Sequence, residues 1–423
     1  MVTSPRVRQL PNCQGEEPNL LPVATAYQRI FDALVPVTET VTIGLEMALD
    51  RVLGQTVTSP IDVPPHRNSA MDGYALAGTD IPNGTVGKLR IIGSAWAGRP
   101  FTGTVARGQA VRIMTGAHMP QGTDTVIMQE QAEIAGDYVR IDGTHRPGQN
   151  VREAGEDLKK NADILHPGQR IGPAEMGLLA SLGITHIDVL RPLRAAIFST
   201  GDEVKDIGEP LTAGAIYDTN RYTLRGMLER ARVEFKDMGV LPDDPQRIAT
   251  ALSAAAGKAD VLITSGGVSA GAADHIANIL HDLGQIGFWK IAIRPGRPLA
   301  FGSIGDAAFF GLPGNPVAVM VTFYQFALPA LRLLAGEVRT KPEPTIDAVC
   351  TAALRKKAGR VEYYRALLQR GANGQLTVRP TGATGSGLLH TMSEANCFII
   401  LGHDDGDVNA GETVPVQPFY GLT

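Results

Sequence analysis

The rhythm of apolar and polar positions changes repeatedly along the chain. Val23 to Leu34 places Ala24, Tyr27, Ile30 and Leu34 at helical spacing, and a second helix is expected over Leu45 to Leu53, stopped by Gly54. From Ser59 to about Asp157 the period shortens to alternating runs (KLRIIGSAW, QAVRIMTG, DTVIMQE, DYVRI) separated by Gly, Pro and Asx turns, which predicts an inserted β-rich module. Gly172-Pro173-Ala174-Glu175 opens a short helix carrying Met176, Leu179, Ala180 and Leu182 and ended by Gly183. After Leu193, continuous apolar runs alternate with amphipathic ones. RAAIFST, the helix Arg221 to Arg230, a short strand at Val233 to Asp237, the helix Pro245 to Ala256, VLIT at 261–264 and AAFFGL follow in turn. Strands buried on both faces and separated by helices predict a parallel sheet. Val317 to Leu334 is almost wholly apolar, yet Gln325, Pro329 and Arg332 interrupt it, so a buried helix is expected rather than a membrane span. Beyond the linker KPEPT, residues 345–417 alternate again and predict a small β-domain.

Composition adds limits to this pattern. A chain of 423 residues needs several cores, and 48 glycines with 28 prolines fit the many turns. A net charge of −4 gives no footprint for nucleic acid. Cys13, Cys350 and Cys397 are widely separated and lack metal spacing, which argues for a reducing compartment and against structural zinc. Residues 1–20 are polar, carry no signal-peptide core and are expected to form a flexible tail.

Candidate chemistry gathers at strand ends. Ser265-Gly266-Gly267 follows one apolar run and Gly311-Leu312-Pro313-Gly314-Asn315-Pro316 follows another, so backbone N–H groups are expected around an anion at the carboxyl edge of the sheet. Neither loop is a P-loop or a GxGxxG fingerprint. Asp202 and Glu203 follow one strand, Asp243 and Asp244 another, and Asp274 follows the glycine loop; acids converging beside an anion cradle suit a divalent cation bridging phosphates, or a catalytic acid pair. Asp243 equally fits a cap of the helix after Pro245, and Asp274 the first turn of its own helix. Lys290 and Arg294, four apart in GFWKIAIRPGRPLAFG, are expected on one face of an extended strand. The turn NSAMDG at 68–73, the turn at Thr115-Gly116, and the charges Arg152, Glu153, Glu156, Asp157, Lys159 and Lys160 each fit either a structural turn or linker, or a ligand contact.

Eight segments taken in order, NSAMDGYA, IMTGAHMP, VREAGEDL, FSTGDEV, IYDTNRY, TSGGVSAGAADH, FWKIAIRPGRPLAFG and GLPGNPVAVMVTFYQF, resemble the molybdopterin molybdenumtransferase family, which includes bacterial MoeA and is related to the C-terminal domain of gephyrin. The resemblance implies a multidomain α/β fold: a helical part split between 21–58 and 158–190, a β-rich insertion at 59–157, a molybdopterin-binding domain at 191–337 and a C-terminal β-barrel at 338–423. It implies a cytoplasmic enzyme that inserts molybdate into adenylyl-molybdopterin, releases AMP, uses Mg²⁺ and forms a homodimer whose active sites combine both subunits. Contacts with other molybdenum cofactor biosynthesis proteins are a further expectation, and neither nucleic acid nor membrane is expected as a partner. Family positions map to Glu203, Asp243 and Asp274 as catalytic acids and metal ligands, and to Asp157 as a further catalytic acid. Thr115, Arg152, Asn220, Ser265, Gly266, Gly267, Lys290, Arg294, Gly314 and Asn315 map to substrate binding. Arg67 stands where the family usually has Asp, and His390-Thr391 where paired serines are common. The alternatives are an adenylyltransferase that makes the adenylylated pterin and a non-enzymatic gephyrin-like scaffold.

Overall fold

Strands Arg194–Thr200 (β1), Glu234–Leu241 (β2), Val261–Ser265 (β3), Gly284–Lys290 (β4), Pro298–Ile304 (β5) and Ala307–Leu312 (β6) build the central sheet. The computed structural model describes residues 5–8, 20–266, 282–338, 344–372, 374–382 and 385–419, and orders this sheet β2-β1-β3-β6-β5-β4. Both faces are covered, which explains the unbroken apolar runs. Ile197, Ile263 and Phe310 face the helices Asn220–Arg230 and Pro316–Leu334, whereas Phe198, Leu262 and Phe309 face Ile248 and Leu252 of the helix Pro245–Ala256. The sheet is mixed rather than wholly parallel. β2, β1, β3 and β6 run parallel, but β5 reverses between β6 and β4 in a pair of antiparallel ladders. β2 also extends four residues beyond the predicted Asp237, to Leu241.

The long apolar helix is a core element, with 72% of its most apolar window buried. A π-turn at Phe323–Ala327 precedes Pro329, whose missing N–H removes a donor from the helical ladder. Tyr324 on this turn lies 6.4 Å from the Phe398 ring, and Gln325 donates to Gln417 at 2.8 Å, so the helix seats the C-terminal barrel. That barrel closes because 361–370 pairs on one side with 376–380 and on the other with 397–401, the ring being completed through 346–350 and 413–418.

The strand Thr40–Gly44 pairs with His186–Leu190. The helix expected over Leu45 to Leu53 is only a 3-10 turn, Leu45–Met47. Asp50 then takes φ +63°, and the chain turns back so that Ala48 and Leu53 pack on Ile187 and Val189 instead of continuing along a helix. Strands between Gly73 and Ile141 form a second six-stranded sheet with cores of its own, inside the stretch expected to be β-rich. The tail expected over 1–20 is pinned at its start. Arg6 and Val7 are buried, and Arg6 Nε donates to Asp260 at 3.0 Å. Cys13 lies outside the described residues; Cys350 and Cys397 are free and buried.

Candidate active site at the carboxyl edge of the central sheet

After β1 the chain crosses to β2 on one side and then to β3 on the other, so the strand order reverses between β1 and β3. A crevice opens outside the carboxyl ends at such a switch point. Ser199 and Ser265 flank it, their hydroxyls 3.2 Å apart. Immediately beyond Ser265, Gly266 takes φ +89°; a Cβ there would lie 3.2 Å from the Thr200 carbonyl. A Cβ on Gly314, at the end of β6, would lie 3.7 Å from the Gly266 Cα. The two glycine turns therefore lie against each other, joined by the Gly266 N–H, which donates to the Leu312 carbonyl at 3.2 Å.

The loop after β6 leads into the helix at Pro316, whose N-terminus is the positive end of its dipole. Asn315 occupies the N-cap position, yet its exposed side chain makes no capping bond. Asn normally satisfies a helix N–H there, so an idle amide at this edge is free for a ligand. Asn220 Nδ2 donates to the Gly314 carbonyl at 2.7 Å, while Asn220 Oδ1 is buried without a partner. Thr200 Oγ1 and Thr264 Oγ1 are likewise buried and unpartnered on the adjoining strands. These three buried polar atoms lie on the strand ends and helix start that meet at the switch point. The sequence reading missed both threonines, although their place at the ends of apolar runs was a usable signal.

The opposite wall is acidic. The Glu203 carboxylate folds back over Gly201, where a Cβ would come within 2.7 Å of it. Asp243 N donates to Asp202 Oδ1 at 3.2 Å. Burial, together with the charges of Asp202 and Glu203, pushes the Asp243 carboxyl above the usual carboxylate range. The capping role that Asp243 equally fitted belongs to its neighbour: Asp244 Oδ1 accepts from Gln246 N and Arg247 N at 2.9 and 3.1 Å. Asp274 and Gly267 lie outside the described residues. Among the described residues no group of three or more His, Cys, Asp or Glu side chains is poised to hold a metal. The oxygen donors present nonetheless suit Mg²⁺, which is held by one or two carboxylates together with substrate phosphates rather than by a complete protein cage.

Lys290 and Arg294 do not share a strand face. β4 ends at Lys290, whose exposed side chain stands at the same carboxyl edge and makes no ion pair with a described residue. The chain then leaves the sheet, and Ile293–Arg294 pairs in parallel with Val361–Glu362 of the barrel. There Arg294 Nη1 meets Glu362 at 3.4 Å. Leaving the sheet cancels the period-two argument, because the two residues belong to different sheets. Thr115, Arg152 and Asp157 belong to a second cluster. Asn68-Ser69 is flanked by Val151-Arg152 on one side and by the segment after Thr115 on the other. Thr115 N and Oγ1 both donate to Asp72 Oδ1, at 2.7 and 2.8 Å, and these bonds hold the Asp72 carboxyl below its ordinary range. Arg67 is accommodated by Glu153, 3.1 Å away. Asp157 is exposed, with its N–H on the Val63 carbonyl. Among the described residues no hydrogen bond, ion pair or strand pairing joins 59–157 to 194–338.

An α/β sheet with adjoining glycine turns at its switch point, a helix N-terminus beside them and carboxylates on the neighbouring strand ends is the architecture of an α/β ligand-binding domain. Comparison with known proteins makes the class particular. Residues 21–183 match the family described as MoeA N-terminal region (domain I and II), 196–333 the probable molybdopterin binding domain, and 347–419 the MoeA C-terminal region (domain IV). A molybdopterin molybdenumtransferase of Haemophilus influenzae is 42% identical over 95% of this chain and 100% of its own. Gephyrin of Dictyostelium discoideum is 30% identical over 95% of this chain and 62% of its own length. A molybdopterin biosynthesis moeA protein of Pyrococcus horikoshii superposes with a TM-score of 0.82 at 28% identity, covering 95% of this chain and 100% of that one. The chain belongs to the molybdopterin molybdenumtransferase family.

Proposed function

We propose that the protein inserts molybdenum from molybdate into adenylyl-molybdopterin and releases AMP. The observation that carries this reading is the meeting of the Gly266 and Gly314 turns at the switch point, with Glu203 and Asp243 on the neighbouring strand ends. A phosphoanhydride is anionic along its length and needs N–H donors on one side and positive charge opposite the acids on the other. The Gly314 turn and the positive end of the helix that opens at Pro316 face the anion, and Ser265, Asn220 and Asn315 orient the ligand around them; the Gly266 N–H itself is given to the Leu312 carbonyl at 3.2 Å and braces the turn. Thr200 and Thr264 offer hydroxyls that nothing else uses. Lys290 extends the positive side along the same edge, with Arg294 farther out and already engaged with Glu362.

Glu203 and Asp243 would hold Mg²⁺, and Asp274 joins them on its sequence position alone. When bound, the ion would neutralise charge on the phosphoryl groups as AMP departs.

Thr115, Arg152 and Asp157 are tied to a module that, among the described residues, makes no hydrogen bond or ion pair to the sheet edge in its own chain, and a homodimer in which the partner subunit completes the site accounts for this. Ile207, Leu211 and Ile216, exposed beside the acidic loop, offer apolar surface for such a contact. A cytoplasmic location fits the two free cysteines.

Glu203→Gln and Asp243→Asn test the site directly. Each is expected to slow AMP release and molybdenum transfer by about 10²-fold or more; unchanged rates in both variants would remove the acids from the reaction. Consumption of ATP in place of the adenylylate would point to the adenylyltransferase instead.

A further inference from the structure

Arg221 is 3% exposed in the first turn of the helix Asn220–Arg230, where the helix dipole disfavours a cation. Three carboxylates from three elements offset that cost. Arg221 Nε donates to Asp218 Oδ2 at 3.0 Å and Nη1 to Asp237 Oδ2 on β2 at 2.7 Å. Nη2 lies 2.7 Å from Asp206 Oδ1, an ion pair rather than a well-angled hydrogen bond. Asp206 Oδ1 also accepts from the Tyr222 hydroxyl and from Ile207 N, both at 2.8 Å. Burial works against the Arg221 charge, but the bonds to Asp206, Asp218 and Asp237 raise its basicity above the ordinary value.

These partners bracket the acidic loop. The Glu203 carbonyl accepts from Ile216 N at 2.9 Å and the Lys205 carbonyl from Asp218 N at 2.8 Å, so the backbone carrying Glu203 hangs on the strand that Arg221 grips through Asp218. At its far end the loop is held again, through Asp206. The residue before Arg221 is Asn220, which is bonded to the Gly314 carbonyl. One guanidinium thus connects the acidic wall of the crevice to its glycine wall.

We propose that Arg221 is a positioning residue that fixes Glu203 relative to the Asn220–Gly314 contact. The proposal rests on the reading of Glu203 given above, and it requires the planar fork of arginine, since a lysine ammonium cannot reach three carboxylates in these directions. Asp206→Asn removes one arm of the clamp and leaves the helix and the bond from Arg221 N to Asp218 Oδ1 (3.1 Å) intact; Arg221→Lys removes the fork. Both are expected to lower kcat for AMP release by roughly 10- to 10²-fold, with the dissociation constant for adenylyl-molybdopterin, measured by calorimetry, unchanged. In a Glu203→Gln background the same changes should cost nothing further, because they act through Glu203. An equal loss in both backgrounds would mean a general structural role and would overturn the proposal.

Amide hydrogen exchange reads the clamp without reference to catalysis. In Asp206→Asn, protection should fall at Val204, Ile207, Ile216 and Asp218 while that of β3 stays as in the wild type. Unchanged protection at those four amides overturns the clamp. A wild-type protein that released no AMP would remove the functional reading, and exchange would still decide the clamp.

Discussion

Asp243 and Asp244 are adjacent and chemically identical, yet only Asp244 reaches back to the helix N–H groups, so only Asp243 is left facing Asp202 and Glu203. Asp244→Ala is therefore expected to cost about 1 kcal/mol of stability and to leave AMP release near wild type, as read by thermal denaturation and turnover. Asp243→Asn should do the reverse. A carboxyl whose folded pKa is raised binds its proton more tightly when folded, so its ionised form weakens the fold as pH rises through the carboxylate range. Asn removes that penalty: Tm near neutral pH should rise, its decline over that range should flatten, and activity should be lost. The doublet itself was plain in the sequence, as were Gly266, Gly314 and Asn220. Which aspartate caps was not, because capping depends on where the loop leaves β2, and β2 runs four residues beyond its predicted end.

The same dependence governs the elements. Period-two reasoning is valid only inside one strand, and Lys290 and Arg294 stand on opposite sides of the point where the chain passes from the central sheet to the barrel. Nothing in the pattern of apolar residues marks that departure, since Ile291, Ala292 and Ile293 are buried in both settings. The helix expected after Leu45 fails for a similar reason: tertiary packing of Ala48 and Leu53 against His186–Leu190 outweighs local propensity. The glycine turns were legible because their geometry is local. Gly266→Ala would place a side chain at φ +89° and 3.2 Å from the Thr200 carbonyl, costing about 1–2 kcal/mol and straining the Gly266 N–H bond to the Leu312 carbonyl that holds the two turns together. Affinity for adenylyl-molybdopterin should fall while Gly239→Ala, at φ +79° with open space around it, should destabilise the fold without weakening binding.

At the scale of the molecule, Asp260 joins parts of the chain that lie far apart in sequence. It accepts from Arg6 Nε, from Arg191 and from Arg194 N, while Arg6 also meets Glu39. Burial alone would raise the Asp260 carboxyl; the hydrogen bonds from Arg191 and Arg194 N and the charges of Arg191 and Arg6 reverse this and hold it low. A depressed carboxylate contributes stability that is present above its unfolded value, near ~3.9, and is lost as pH falls. Asp260→Asn, leaving buried arginines without their counter-charge, is expected to cost about 3–5 kcal/mol at neutral pH and to make acid unfolding less steep, measured by denaturant titration across pH. No sequence signal announced this, because Arg6 lies in a polar stretch that composition marks as tail.

Assembly belongs to the same scale. Mixed dimers of Arg152→Met and Glu203→Gln chains should recover AMP release that neither variant shows alone, since one crevice in such a dimer would draw Glu203 from one chain and Arg152 from the other. Failure to recover would place each site within a single chain.

If the switch point holds the phosphoanhydride, loss of AMP is coupled there to arrival of the metal. The most direct test of this coupling is a single-turnover measurement of AMP released from adenylyl-molybdopterin by the wild-type protein, with and without molybdate. Release that requires molybdate, proceeds in step with molybdenum incorporation and slows by about 10²-fold in Glu203→Gln is the predicted result. Release that ignores molybdate, or keeps its wild-type rate in Glu203→Gln, would contradict the account.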